Sequence, residues 1–368
     1  MSNQSSESHL VELAADPYAI YEHFADRGWT DGLPFVPPTK ARVADMLRFI
    51  DRIPTEVIAD IPPKGGAATV HKIAINAAMA GCKPEYLPVV IAGVQAMVEP
   101  EYNLYGRQTT THPGAHLTIV HGPVRNEISV NCRQNVFGQG WRANATIGRT
   151  MRLLLMNIGG GIPGETDMAT HGHPGKYSYC IGEDEDNSPW PGLHVDRGIN
   201  PSASAVTMLC AESPHNINDM ISKTPELYLG SAASAMSHLG ANGPYRGKLD
   251  GEQMLVITAE SAQWLDEQGW NKQKVQEFIF ETARCRIGDL RDRGGWGQTP
   301  LPDWVDKHDD DALTSIVPDP ANILIVVAGG HGRHMQAVLA SSYCKSVTKP
   351  VTDIDGVPIA LVKELASS

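Results

Sequence analysis

The sequence predicts an α/β fold in which mixed or mostly parallel sheets are flanked by helices. Apolar runs that end in glycine are typical of strands buried on both faces. Stretches with helical spacing alternate with these runs, and 35 Gly and 26 Pro among 368 residues indicate many tight connections. Because the chain is longer than most single cores allow, we expect two domains or one large α/β domain.

The first elements are a polar tail and a short helix, together residues 1–28, that end at Gly28. The segment "WTDGLPFVPPT" (29–39) is a rigid loop, and Thr39 is suited to cap the helix that follows. The other predicted elements, in chain order, are helices over 69–81 and 83–98, a strand over 116–123, a helix over 144–161, a strand over 204–213, a turn over 214–219, a helix over 225–240, a strand over 253–261, a helix over 271–284, a loop over 292–312 and a strand over 322–330.

A weak internal repeat suggests two halves. The segments "KPEYLPVVIAGVQAM … HLTIVHGP" and "TPELYLGSAASAMSH … QMLVITAE" share a Pro-Glu helix start, a gap and a buried strand. A pseudo-twofold duplication would give this pattern, but unrelated helix–loop–strand units also look alike, and we favour that second explanation. We predict a first α/β half over 29–200 and a second over 201–368.

Charge and composition restrict the partners. The net charge of −12 opposes binding to phosphate backbones, so nucleic acid is excluded. No apolar run reaches the ~20 residues of a membrane span, and the N-terminus does not resemble a signal peptide. The six scattered cysteines suit a reduced, cytoplasmic protein. The small-residue helix over 225–240 could contact a second copy of the chain or pack inside the monomer.

The segment "THGHPGKYSYCIGEDEDNSPWPGLHVDRG" (170–198) holds the densest group of reactive side chains. Alternate residues of an extended chain share a face, so His171 would point with His173, and His194 with Asp196. Together these pairs could hold a divalent transition metal such as zinc, manganese or iron. Alternatively, the histidines form hydrogen bonds or line a substrate pocket, where His173 is also a catalytic candidate.

Lys176, Cys180 and Glu183 are further catalytic candidates in this segment. Lys176 is suited to bind an anion or act as a general acid. A nucleophilic Cys180 competes with a small buried thiol, because Lys176 would lie ~13 Å away along a strand and the acidic run raises the thiol pKa. Glu183 would face the site if the acidic loop packs back through Trp190.

His215 and Asn216 follow a predicted strand, where open α/β sheets place their ligands. They could act as acid/base and hydrogen-bond donor, or simply form a turn. At the start of the helix over 144–161, Arg142 and the amides near Asn144 could hold a substrate carboxylate. Trp190 and Asp31 complete the predicted substrate-binding set.

Several long motifs resemble one known family. "WTDGLPFVPPT", "AINAAMAGCKPEYLPVV", "WRANATIGRTMRLLLMNIGGG", "GHPGKYSYCIGEDEDNSPWPGLHV" and "PHNIND" are similar to poorly characterised bacterial proteins that accompany, or are fused to, UGSC-type selenoprotein or thiol-protein domains. The resemblance covers about residues 29–285. Its matched motifs fall on Gly172–Tyr177, Glu183–Trp190 and Pro214–Asn216.

The resemblance implies a division of labour, in which a UGSC-type thiol or selenol partner supplies redox chemistry and this chain holds the substrate. The UGSC motif is absent here. The nearest string, Ser341-Ser342-Tyr343-Cys344, lacks the first reactive position.

Three hypotheses follow from the sequence. The first is an enzyme or enzyme component that acts on a small anionic substrate with thiol or selenol help from a partner. The second is a metal-dependent hydrolase or lyase that uses His171, His173, His194 and Asp196. The third is a non-catalytic binding subunit.

Overall fold

A computed structural model describes residues 10–242, 251–294, 296–297, 300–341, 343 and 345–366. The helices in this part of the chain are α1 Pro17–Ala25, α2 Lys40–Met46, α3 Val70–Ala80, α4 Leu87–Met97, α5 Leu104–Gln108, α6 Val124–Glu127, α7 Arg142–Asn157, α8 Leu193–Asp196, α9 Pro225–Met236, α10 Ala259–Glu267, α11 Lys272–Thr282 and α12 Ile287–Leu290. The strands are β1 Val57–Ile61, β2 Gly66–Thr69, β3 Ala115–His121, β4 Cys180–Gly182, β5 Ala205–Ala211, β6 His215–Asn218, β7 Gln253–Ile257, β8 Arg284–Arg286, β9 Leu313–Ser315, β10 Ile323–Val327, β11 His334–Leu339 and β12 Val347–Pro350.

Local capping explains where several helices begin and end. The Thr39 hydroxyl accepts a hydrogen bond from Arg42 N at 3.3 Å, which confirms it as the N-cap of α2. At α3, the Thr69 side chain caps the first turn, and Gly81 ends the helix in the left-handed conformation with φ 94°.

Two four-stranded sheets form the centre of the fold and confirm the predicted α/β class with mixed sheets. The first has the order β12-β5-β3-β4 and the second β10-β7-β11-β6. In the first, β3 is parallel to β4 and antiparallel to β5, which is antiparallel to β12. In the second, β7 is parallel to β10 and antiparallel to β11, which is antiparallel to β6.

From the edge strand of the parallel pair inward, each sheet has one parallel pair followed by two antiparallel pairs. At the other edge, the two sheets exchange their outer strands. Strand β6 follows β5 in the chain but joins the second sheet, whereas the late strand β12 returns to the first. A pseudo-twofold duplication would give this pattern, and such a duplication stays a prediction. Strand β5 lies beyond the predicted division at residue 200 and still belongs to the first sheet.

The fold has four layers, in the order helices, first sheet, second sheet, helices, and a main core lies between each pair of neighbouring layers. Residues from both sheets, including Leu117, Leu209 and Val326, form an inner core between them. Helices α3, α4 and α7 cover the outer face of the first sheet, and α9, α10 and α11 cover the second. The sheets also meet at two edges, where Asp184 N donates to Val327 O at 2.7 Å and where Ala211 pairs with Ala340. Helix α9 buries Ala232 and Ala233 in the core beneath the second sheet's helices.

Two local predictions were wrong. The segment "PHNIND" is not a turn, because residues His215–Asn218 pair with β11 as an edge strand and bury Ile217. The strand predicted over 253–261 ends at Ile257, since the Thr258 side chain accepts from Ser261 N and begins α10.

Gly148 tests the close packing of α7 on the chain entering β4. A Cβ atom at this position would lie 2.5 Å from Tyr179 N and 2.6 Å from Ser178 Oγ. We expect Gly148→Ala to lower the free energy of unfolding by ~1–3 kcal/mol, because this overlap outweighs the better helix propensity of alanine. Urea denaturation measures the change.

Gly230→Ala in α9 is the matched control. Among the described residues, no atom outside the helix backbone lies within 4 Å of the added methyl group. Helix propensity alone should then raise the free energy of unfolding by ~0.5–1 kcal/mol. Equal changes in the two variants would contradict the close packing at Gly148.

Candidate metal centre

Four acidic and imidazole side chains meet at the carboxyl ends of β3 and β4, where the two sheets touch. One ligand atom from each of His121, Glu183, Glu185 and His194 lies within 4.8 Å of the others. Ligand atoms of a tetrahedral ion at ~2.1 Å are about 3.4 Å apart, so metal binding would draw these four groups closer together. We call these four side chains the metal cluster. Within the described ranges, it is the one group of three or more such side chains that could hold a metal ion.

Strand pairing brings His121 and Glu183 together. His121 is the last residue of β3, and Glu183 follows β4 directly. The strands run parallel with Val120 opposite Gly182, so both side chains emerge at one edge of the sheet. His121 Nδ1 lies 2.9 Å from Glu183 Oε2, and the two side chains are 0% and 1% exposed.

His194 reaches the metal cluster from the short helix α8. The Leu193 N–H donates to Glu183 Oε2 at 2.8 Å and fixes the start of this helix. The His194 ring stacks on His121, with ring centroids 5.3 Å apart. A Cβ atom at Gly192 would lie 3.0 Å from His194 Nδ1, so glycine leaves the ring its space.

Glu185 forms the solvent-facing side of the metal cluster. Its Oε1 accepts from Gly122 N at 2.9 Å and lies 3.9 Å from Nδ1 of both His121 and His194. Gly122 has φ 77°, and a Cβ atom there would lie 2.4 Å from Ala203 O, so only glycine fits. The Glu185 side chain is 19% exposed, which leaves an approach from this side.

A hydroxyl chain holds the other nitrogen of His121. Its Nε2 lies 2.8 Å from Thr207 Oγ1, which lies 2.8 Å from Thr348 Oγ1. If Nε2 carries the proton and donates to Thr207, Nδ1 presents its lone pair to the cluster. Such an outer hydrogen bond orients a metal-ligating histidine and fixes its tautomer.

Burial sets the protonation states. It lowers the pKa of His194 to about 4, with His121 and Lys272 acting in the same direction and Glu183 opposing. Burial acts to raise the pKa of Glu183, but its hydrogen bond to His121 and the charges of His121 and Lys272 leave it below the usual value. Burial raises the pKa of Glu185. At neutral pH, His194 is therefore neutral and Glu183 ionised, as metal ligation requires.

Both ring nitrogens of His194 are buried and lack a hydrogen-bond partner among the described residues. An unpartnered buried nitrogen costs ~1–3 kcal/mol, and a cation would satisfy one of them. When both glutamates are ionised and both histidines are neutral, the metal cluster carries two negative charges, which match a divalent ion. Two imidazoles and two carboxylates suit zinc, manganese or iron(II), any of which could acidify a bound water.

Of the four metal ligands predicted from the sequence, His194 lies in the metal cluster and the other three lie elsewhere. Asp196 instead pairs with Lys272 Nζ at 2.7 Å, because residues 193–196 form a helical turn rather than extended chain. His173 lies at the opposite end of the sheet, with Nε2 3.2 Å from Ala211 O. His171 is exposed.

The predicted catalytic residues are divided between two places. Glu183 lies in the metal cluster. Lys176 ends a 3₁₀ turn and donates to both carboxylate oxygens of Asp167, at 2.7 and 2.8 Å. Cys180 lies in the core beneath the helices, where burial raises the pKa of its thiol. The strand assumed between Lys176 and Cys180 is absent, since β4 begins only at Cys180.

His215 and Asn216 lie on the edge strand β6 of the second sheet and are exposed. Asn216 Oδ1 lies 3.1 Å from His334 Nδ1 and accepts from Gln336 Nε2 at 3.2 Å. They do not join the metal cluster, which lies at the other sheet's β3–β4 edge.

Two predicted substrate-binding residues form internal contacts instead. Asp31 accepts two hydrogen bonds from Arg149, both at 2.8 Å, which tie the N-terminal loop to α7. Arg142 Nε donates to Gly81 O at 2.9 Å, so it links the start of α7 to the end of α3.

Asn144 and Trp190 also have structural partners. The Asn144 side chain accepts from Asn131 N at 2.8 Å and donates to the carbonyls of Asn131 and Cys180. Trp190 is buried, and its indole N–H donates to Asp266 at 3.2 Å. The acidic loop therefore does pack back through Trp190, the condition under which Glu183 was expected to face a site.

Sequence reasoning missed His121 and Glu185. The signal for His121 was its place at the end of the predicted strand over 116–123, where sheets of this class expose ligands. Glu185 lies two residues beyond Glu183 in the acidic run, and neighbouring carboxylates gave no local reason to choose it.

No family model, curated protein or solved structure matches this chain. The resemblance to the companions of UGSC-type domains stays a prediction. Of its nearest motif string, Ser342 and Cys344 lie outside the described residues. Among the residues that are described, no helix combines the length and apolarity needed to cross a bilayer.

Cys180 should be inert in the folded protein. Its burial and raised pKa disfavour the thiolate, so we expect alkylation by iodoacetamide to be more than ~100-fold slower than that of a free thiol. Peptide mapping by mass spectrometry measures the rate at this residue. The guanidinium-unfolded protein is the internal control and should react at the free-thiol rate. Native labelling at that rate would contradict the buried placement.

Proposed function

We propose that the protein is a metal-dependent enzyme of the hydrolase or lyase class, whose divalent ion is held by His121, Glu183, Glu185 and His194. The observation that carries this proposal is the convergence of their ligand atoms around a buried imidazole that has no hydrogen-bond partner among the described residues. An internal ion pair between His121 and Glu183 would explain two of the four residues, but it leaves both nitrogens of His194 without a partner in the described part of the chain.

Thiol chemistry by this chain is less well supported. Cys82, Cys132, Cys180, Cys210 and Cys285 are all buried as free thiols. Burial raises the pKa of each of them, which disfavours the reactive thiolate. The proposed enzyme therefore depends on a metal-bound water or on a substrate group polarised by the metal, rather than on any of these five described thiols.

The test compares metal binding by wild-type protein and His194→Leu. Both are freed of metal with a chelator, desalted and titrated with Zn²⁺, Mn²⁺ and Co²⁺, with calorimetry and Co²⁺ absorbance as readouts. We expect one equivalent to bind wild-type protein and the affinity of His194→Leu to fall more than ~100-fold, since a direct ligand is lost. Without metal, the variant should be as stable as wild type or ~1–3 kcal/mol more stable, because two unpartnered nitrogens are removed.

The matched control is His215→Leu, which removes an exposed histidine on β6 and should leave metal affinity unchanged. Hydrolysis or elimination is then assayed on panels of esters, amides, phosphoesters and hydroxy acids, and any activity should require metal and disappear in His194→Leu. Binding of less than ~0.2 equivalents by wild-type protein, or equal affinities in the three proteins, would rule out the metal centre.

A further inference from the structure

A second group of polar side chains lies on the helix-facing side of the first sheet. This cationic cluster consists of Arg107, Gln108, His116, Arg152 and Lys176. His116 is the second residue of β3 and pairs with Cys210 of β5. His116 and His121 lie five residues apart on one strand, so they face opposite sides of the sheet and are ~16 Å apart. The cationic cluster is therefore separate from the metal cluster.

Positive charge exceeds negative charge in the cationic cluster. Arg107 and Arg152 are only 8% and 7% exposed, and Lys176 is half-buried. Asp167 accepts from Lys176 at 2.7 Å and from Arg152 at 3.4 Å, so one carboxylate serves two cations. Within the described ranges, Arg107 has no carboxylate partner, and its guanidinium donates to the Ser341 hydroxyl. Arg107 thus adds a buried charge that the described residues do not compensate.

Three buried N–H groups also lack acceptors among the described residues. They are Arg107 Nε, Gln108 Nε2 and His116 Nε2. Gln108 and His116 are 1% and 5% exposed, so bulk water does not satisfy them. His116 Nδ1 lies 2.6 Å from the Tyr102 hydroxyl, and if that hydroxyl donates, Nε2 carries the proton. Burial and then the charges of Arg152, Lys176 and Arg107 hold the pKa of His116 well below its usual value, which keeps the ring neutral.

These groups require an acceptor that also carries negative charge. A buried water could accept from one or two of the donors but would leave the charge of Arg107 uncompensated. Oxygen atoms of a carboxylate or phosphate match the planar guanidinium fork and accept several hydrogen bonds at once.

We propose that the cationic cluster binds a small oxyanion, a carboxylate or a phosphate, with Arg107, Gln108 and His116 as hydrogen-bond donors. Arg152 supplies further positive charge. The Lys176 side chain is 18% exposed and marks the side from which the anion enters. The site belongs to the outer face of the sheet, so it does not depend on a metal in the metal cluster.

The experiment measures oxyanion binding to the full-length, metal-free protein in a zwitterionic buffer. Sodium phosphate, sodium succinate and sodium chloride are compared at equal ionic strength by thermal unfolding and calorimetry. We expect phosphate or succinate to raise the melting temperature with saturation, and chloride to have no saturable effect. Tighter binding of phosphate or of succinate identifies which oxyanion the site takes, and either result supports the inference.

Two variants assign the binding to the cationic cluster. Arg107→Met should weaken the oxyanion about 10- to 100-fold, because a charged hydrogen-bond donor is removed. Gln108→Leu removes no charge and should weaken it ~3- to 10-fold, so it decides the question if Arg107→Met does not fold. Arg42→Met is the matched control for the change in net charge, since Arg42 lies on the surface of α2. The Arg42→Met protein should bind the oxyanion with wild-type affinity.

Equal melting temperatures in phosphate, succinate and chloride would overturn the inference, as would wild-type affinity in both Arg107→Met and Gln108→Leu. The His194→Leu protein should retain wild-type affinity for the oxyanion. Loss of affinity in that variant would place the anion at the metal cluster and also overturn the inference, whereas failure to bind metal would leave it intact.

Discussion

The burial of β3 on both faces is the constraint on which the rest of this structure depends. All seven residues from Ala115 to His121 are buried, so each polar side chain on the strand must find a partner inside the protein. Alternation directs His121 toward the edge where the sheets meet and His116 toward the helices. One strand therefore places an imidazole in each of the two polar clusters and separates those clusters by the thickness of a sheet.

The exchange of outer strands fixes the position of the metal cluster. Because β12 pairs with β5, Thr348 reaches Thr207 and supports the outer nitrogen of His121. The Asp184 N–H donates to Val327 O where the two sheets meet. This hydrogen bond holds Glu183 and Glu185, the two neighbours of Asp184 in the chain, beside the same space. The corresponding edge of the second sheet lies after β7 and β10, and it carries Thr258 and glycines instead. In the part of the chain that is described, one of the two sheets therefore carries a cluster of this kind.

Local signals were sufficient for most of the fold but for little of the site. Hydrophobic spacing and caps such as Thr39 and Gly81 located the helices, since these depend on neighbours in the chain. The edge strand β6 was missed because its pairing with β11 is a long-range contact that outweighs turn-forming residues. The metal prediction included His194 but assumed extended chain, and a helical turn directs Asp196 away. His121 was missed because its role arises only when β3 lies beside β4.

The distribution of unpartnered buried atoms supports ligand sites rather than incidental packing defects. Twelve buried side-chain nitrogen and oxygen atoms lack a partner in the described residues. Five of them belong to residues of the two clusters: His194 Nδ1, His194 Nε2, Arg107 Nε, Gln108 Nε2 and His116 Nε2. Defects of packing would be scattered and would carry no common charge. Here the acidic cluster is suited to a cation and the basic cluster to an anion, so the sign of each proposed ligand follows from the residues of its own site and the two ligands are chemically distinct.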